Sequence, residues 1–216
     1  MNATSQTEPE FSPRQREVLD AVLALMVEEG ATFSTAKVAR AAACSKETLY
    51  RWFGDRDGLL TATVRWQASK VRMPEVPRAG LTREALRAGL AEFAKSWLTV
   101  ISGDLSVALN RTAVTHAGSD RSRLGEIVLT NGPDAMARRL QPLFAAGRVA
   151  GLLDYADGED AFRVFFGLVV ADTQIRVLLG EARRPARHEI EARAGDAADR
   201  FLALFGRTGT TKSAAA

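Results

Sequence analysis

The sequence predicts an all-α protein in two parts: an N-terminal three-helix domain built round a helix-turn-helix, over residues 12–72, and a larger C-terminal helical domain over 81–206. Three features predict it. Residues 34–53 form two short helix patterns hinged at Ala43-Cys44-Ser45. Pro74, Pro77 and Gly80 cluster after the next helix pattern and mark a boundary, and the signals beyond that boundary stay helical as far as Phe205.

The first helix is signposted at both ends. Ser12 is placed to cap it, Pro13 takes its first position and Gln15 completes a capping box. Val18, Leu19, Val22, Leu25 and Met26 share one face before Gly30 stops the helix. The second helix starts from Ser34, whose hydroxyl can accept a backbone N–H of the first turn, and it turns Val38, Ala39 and Ala42 inward. Ser45 can cap the third in the same way, with Cys44 plugging the angle between the two and Leu49 and Phe53 continuing the buried stripe. Gly54-Asp55 separates it from a fourth helix, Arg56 to about Val71, with Leu59, Leu60, Val64 and Val71 inward. That helix meets the pair of short helices at one end and the larger domain at the other, so it is the natural mechanical link.

Past the boundary, Thr82 opens a helix that buries Leu86, Leu90, Phe93, Trp97, Leu98 and Ile101. Gly103-Asp104 ends it and caps the next, which carries Leu105, Leu109 and Ala113. Between 122 and 146 the pattern is interrupted at Gly132-Pro133 and at Pro142, which predicts one kinked helix, with two separate helices as the alternative. Two more helices are expected over 158–180 and 187–205. The first holds Phe162, Phe165, Phe166, Val169, Val170, Val177 and Leu178, too many apolar groups for one stripe, so a second surface must cover some of them. The last adds Ile190, Ala194, Ala198, Phe201, Leu202 and Phe205, whose small members permit close helix crossing. A thick monomeric core is the competing explanation. Both ends of the chain, 1–11 and 206–216, are small and polar and are expected to be disordered.

Composition narrows the function. The chain has 216 residues, 46% of them hydrophobic, and no apolar run near the eighteen or so residues of a membrane span. The chain is expected to carry no signal peptide, and a single cysteine excludes a disulfide framework and fits a reducing cytoplasm. Cys44 reads as a structural thiol rather than a redox sensor because of its plug position. A helical enzyme has little to work with: His116 and His188 are the only histidines, and glycine-rich phosphate loop, nucleophile elbow and metal-spaced histidine pair are all lacking. Asp154, Asp157, Glu159 and Asp160 read as a loop and helix start, where acids favour the N-terminal dipole. No cofactor or metal is expected.

Charge points to nucleic acid. Residues 34–72 carry +5 while the whole chain carries only +3, so the positive excess is local, as a phosphate footprint should be. The short helix after Ser45 presents Lys46, Thr48, Tyr50 and Trp52, whose ammonium, hydroxyl and aromatic groups suit base edges and phosphates in a major groove. An ordinary solvated helix face is the bland alternative, and hinge, caps and charge together argue against it.

From about Arg14 to Leu60 the chain resembles the DNA-binding domain of the TetR family of bacterial transcription regulators. The resemblance rests on Gly30, Val38-Ala39, Ser45-Lys46, Thr48-Leu49-Tyr50, Phe53, and Arg56 followed by Leu59-Leu60. It implies that Thr35, Lys46, Thr48, Tyr50, Arg51, Trp52 and Arg56 meet a double-stranded operator, Arg56 standing where the family has a phosphate-clamping lysine. It implies a cytoplasmic homodimer in which the last two helices pair with their copies, which places Phe165, Val169, Asp172, Ala194, Ala198, Phe201, Leu202 and Phe205 at the interface, with Asp172 meeting an arginine across it or orienting a ligand. It also implies a small-molecule effector in the larger domain, apolar or amphipathic, for which Phe93, Trp97, Leu109, His116, Phe144, Phe162 and Phe166 are the candidate lining. Repression relieved by the effector is the family's usual outcome. A protein-interaction module that kept the fold and lost DNA is the rival, and Lys46, Thr48, Tyr50 and Arg56 argue against it. One departure stands out: Ala43 occupies a turn position where the family usually has glycine, and at positive φ an alanine costs on the order of 1 kcal/mol.

Overall fold

The computed structural model describes residues 11–30, 33–77, 80–118, 123–181 and 183–207. The described residues form eleven helices: α1 Pro13–Glu29, α2 Thr35–Ala41, α3 Lys46–Phe53, α4 Arg56–Ser69, α5 Arg83–Ser102, α6 Asp104–Thr115, α7 Leu124–Asn131, α8 Pro133–Val149, α9 Gly158–Val170, α10 Thr173–Leu178 and α11 Arg187–Phe205. The expected ends 1–10 and 208–216, and the expected helix start at Ser122, lie outside the described residues. Phe11 packs partly against the N-terminal core, and Gly206, expected in a disordered tail, forms an isolated antiparallel bridge with Leu153.

The caps anticipated from sequence are made. Ser12 and Gln15 form the capping box of α1, and Ser34, Ser45 and Thr82 each accept the backbone N–H three residues on. Asp104 is the exception, because Gly103 occupies the cap of α6 and offers no side-chain bond. Between 124 and 149 the chain forms two helices, not one kinked helix. Gly132 carries the break and Pro133 starts α8, where a missing N–H is harmless, while Pro142 sits inside α8 without ending it. The single helix expected over 158–180 is divided as well, since Ala171 adopts φ 44° and separates α9 from α10.

Two apolar cores hold the helices together, and their boundary differs from the linker. The first gathers Val18, Leu19, Val22, Val38, Leu49, Leu59, Leu60 and Val64 from the head, but also Leu109 and Ala113 of α6 and Leu124 and Ile127 of α7. The second is built on α5, α8, α9 and α11, where Phe93, Phe144, Phe165 and Phe201 are fully buried and stack or meet edge-on with centroids 5.0–6.2 Å apart. Helix α4 belongs to both, contributing Leu59, Leu60 and Val64 to the first and Ala68, with Val71 just past its end, to the second.

Candidate nucleic-acid interface and inner cavity

The turn before α3 is a Schellman closure. Cys44 N–H donates to the Ala39 carbonyl at 2.9 Å and Ala43 N–H to that of Arg40 at 3.2 Å, which satisfies the last carbonyls of α2. Such a closure needs a left-handed residue, and Ala43 supplies it at φ 46°. Arg14 of α1 reaches the outside of the turn and donates to the carbonyls of both Ala42 and Ala43. Cys44 is half-buried against the head core, and so is Phe53, which was expected deeper. On the far side of α3, Gly58 packs so closely that a Cβ there would lie 1.9 Å from the Phe53 carbonyl oxygen. The angle between α3 and α4 is therefore fixed by contact of backbone on backbone.

This scaffold faces α3 outward on one side. Leu49 is its only fully buried residue, while Lys46 and Arg51 are exposed and Tyr50 is 47% exposed. Tyr50 OH lies 3.5 Å from Thr35 Oγ1, so a residue of α2 joins the same surface. Thr48 is half-buried, its hydroxyl 3.2 Å from that of Ser45. Trp52 turns partly inward, its ring edge-on to Phe53 at 6.2 Å, and offers less surface than Tyr50. Arg56 is exposed at the first position of α4, with its guanidinium 5.6 Å from the centroid of Phe33. At that helix end the Asp55 carboxylate already accepts Gly58 N–H at 2.7 Å. Glu47 is the one acid on α3, and its own backbone N–H and the Ser45 hydroxyl hold its carboxyl below the ordinary value, so it stays ionised.

Helix α4 is gripped along its length. Near its C-terminal end the Trp66 ring has the cations of Arg16 and Lys70 over it, 5.4 and 5.2 Å from its centroid, and its indole N–H donates to Asp20 of α1 at 2.7 Å. At its C-terminus Arg139 of α8 donates to the carbonyls of Ala68 at 2.9 Å and Val71 at 2.8 Å, where a cation is favoured by the helix dipole. Between these grips the Gln67 amide is buried and donates to the Ser106 hydroxyl at 2.8 Å.

Beside Gln67 lies a cavity of about 70 Å³. Val64, Leu109 and Val128 line it from the first core, and Val71, Trp97, Ile101, Met136 and Phe166 from the second, so it sits on the seam between them. Three of the expected lining residues, Trp97, Leu109 and Phe166, are there. The others are elsewhere. Phe93 and Phe144 are core residues with no exposed surface, and His116 caps the end of α6 with Nδ1 2.9 Å from the Thr112 carbonyl. Phe162 stacks on Trp97 and faces a wider cleft between α8 and α9 that shares Pro133 and Phe166 with the cavity. Sequence reasoning missed Gln67, although one signal was present: it falls in the stripe Leu60, Val64, Val71, a polar residue at an inward position.

Of the residues expected at a subunit interface, Phe165, Val169, Ala194, Ala198, Phe201 and Leu202 are covered by this chain's own second core, whereas Phe205 is half-buried and tilted against Phe201 at 4.9 Å, and Asp172 is exposed, paired with Arg176 of the same chain at 2.5 Å. The six covered residues form the inward side of α9 and α11. On the outward side of α9 Val164 and Gly167 are exposed while Leu168 is half-buried against the second core, and past its end Ala171 is exposed and Ile175 is 53% exposed.

Residues 18–63 match the model of the bacterial regulatory proteins of the tetR family, and residues 88–207 match that of the C-terminal domain of AefR-like transcriptional repressors. Among solved structures the chain is similar to a TetR transcriptional regulator from Agrobacterium tumefaciens at 46% identity, over 91% of this chain and 96% of that one, with a TM-score of 0.78. It is also similar to a flavonoid-responsive regulator, FrrA, at 26% identity, over 89% and 97% of the two chains, TM-score 0.66. A TetR-family structure from Mesorhizobium loti shares the fold at 22% identity, over 90% and 97%, TM-score 0.70. No curated protein matches the chain.

Proposed function

The chain belongs to the TetR family of transcriptional regulators, and we propose that it is a dimeric cytoplasmic repressor that leaves a palindromic operator when a small, largely apolar molecule occupies the seam cavity. Members of this family are DNA-binding regulators with a helix-turn-helix and not enzymes. The observation that carries the finer reading is the position of that cavity, between two cores that share α4.

A small-molecule site usually has about 300–1,000 Å³, so an occupant of this cavity has to part the cores. Trp66 binds α4 to α1, and the head core binds α6 and α7 to both, so the head would respond as one body. An occupant favouring the parted state by about 1–3 kcal/mol is enough for a switch. A planar aromatic molecule suits walls that include Trp97 and Phe166, and the flavonoid response named for one relative agrees with this chemistry.

On DNA, Lys46, Tyr50 and Arg51, with Thr35 and Thr48 behind them, would enter the major groove while Arg56 meets phosphate. Two copies joined through the outward side of α9 would set their reading helices about 34–36 Å apart or somewhat more. No described helix is long and apolar enough to cross a membrane. The test is a gel shift and footprint of the full-length protein on DNA from upstream of its own gene. A protected two-fold site whose affinity falls steeply with salt is expected, with a log-log slope near −0.9 per phosphate neutralised. Salt-independent binding, or none, removes the reading.

A further inference from the structure

The seam cavity has one polar feature that its shape does not account for. Gln67 is 7% exposed, and its Nε2 is committed to the Ser106 hydroxyl, but its carbonyl oxygen Oε1 has no hydrogen-bond partner in the protein. An unpaired buried carbonyl destabilises the fold, and native proteins rarely keep one without use. No other group on the wall is bonded to Oε1. Asn110 gives one amide N–H to the Ser106 carbonyl at 2.7 Å, Gln174 is the other amide on the wall, and no lysine, arginine, aspartate or glutamate is among the lining residues.

Taking the seam cavity as the effector site, on which this step rests, we propose that the effector is an uncharged, mostly apolar molecule bearing a hydroxyl or N–H that donates to Gln67 Oε1. A carboxylate would bring a charge into a cavity with no cation to pair it and would set one acceptor against another. An ether or ester of the same shape would fill the space and leave Oε1 unpaired. The donor also reaches α4 itself, between Trp66 and the Arg139 grip, so the bond that selects the effector acts on the helix that carries the reading head.

Three matched probes separate the possibilities: 4-ethylphenol, 4-ethylanisole and 4-ethylbenzoate, titrated into the full-length protein at neutral pH and followed by NMR chemical shifts. The phenol is expected to bind roughly tenfold or more tightly than the anisole, as one buried hydrogen bond provides, and the benzoate not measurably. Gln67→Met, which keeps the volume and removes the acceptor, should bring phenol and anisole within about twofold of each other, and Gln67→Leu serves if that variant does not fold. Equal binding of phenol and anisole by the unaltered chain, or a preference that survives both variants, overturns the donor proposal. Ala68→Phe fills the cavity and tells the two levels apart. If it abolishes an indiscriminate binding, the site stands and the donor proposal falls. Binding that ignores Ala68→Phe, or no binding of any probe, takes the effector site down as well.

Discussion

The guanidinium of Arg14 donates to the carbonyl oxygen of Ala43 at 3.0 Å, so the first helix holds the left-handed residue of the turn that aims the reading helix. An alanine at φ 46° is strained, and in this chain the strain is offset partly by a hydrogen bond from outside the motif.

Ala43→Gly should leave stability unchanged or raise it by up to about 1 kcal/mol, because the relief of strain outweighs or cancels the added freedom of the unfolded chain. Arg14→Met should lower it by about 1 kcal/mol, since two carbonyls lose a charged donor. Urea unfolding of the two variants checks both signs, and a loss above about 1 kcal/mol for the glycine would show the turn geometry to be wrong.

Gly58→Ala is the opposite case. Its Cβ would collide with the Phe53 carbonyl at 1.9 Å, and backbone cannot step aside as a side chain can. We expect a loss of about 1–3 kcal/mol, together with weaker DNA binding through displacement of α3 against α4.

On operator DNA, Arg56→Ala should weaken binding to all sequences alike and make the salt slope shallower by about 0.9, the signature of one lost phosphate contact. Lys46→Ala and Thr48→Ala should also change sequence preference. Competition gel shifts with point-mutated operators separate these outcomes, and a change of preference alone for Arg56→Ala would reverse the roles.

Subunit association offers a contrast between exposed apolar side chains and the core. Val164→Asp or Ile175→Asp should yield a folded monomer in sedimentation, because both side chains are exposed. Phe201→Ala should instead cost about 3–5 kcal/mol of stability, as a core cavity does. A dimer that survives both aspartates places the interface elsewhere.

Acid should destabilise the fold from one side only. The carboxyls of Asp172 and Asp199 are held below their ordinary value by the guanidiniums of Arg176 and Arg87, and that of Glu189 by the Ala186 backbone N–H and then Arg183. Groups with depressed folded values contribute stability that is present above the unfolded carboxylate range, near about 4, and is lost as pH falls through the lower folded values. Thermal midpoints should therefore be level from about pH 5 to 8 and decline below that. Asp199→Asn should make the decline shallower.

Local chemistry made the head legible. Ser12, Ser34 and Ser45 announce their helices because a hydroxyl at that position has one use, and Gly30 and Gly54 mark stops that need positive φ. Long-range packing made the larger domain less so. The apolar surplus of α9 reads alike whether its partner is α5 and α11 of the same chain or a second subunit, and only the packed structure shows Phe165 and Phe201 taken by the first. The break at Ala171 has no signal, since alanine is the residue most at ease in a helix. Trp97 and Phe166 were legible as lining, but Gln67 was not separated from its apolar neighbours even though its polarity set it apart.

The reach of the first core into Leu109, Ala113, Leu124 and Ile127 bears on how regulators of this kind can be recombined. A chimaera spliced in the proline-rich linker would part the head from two helices it folds with, and each half would arrive with apolar flanks shaped for another sequence. Exchanging the recognition segment alone, between Ser34 and Gly54, leaves those flanks matched to their own neighbours, so operator preference should transplant more readily than the whole reading head.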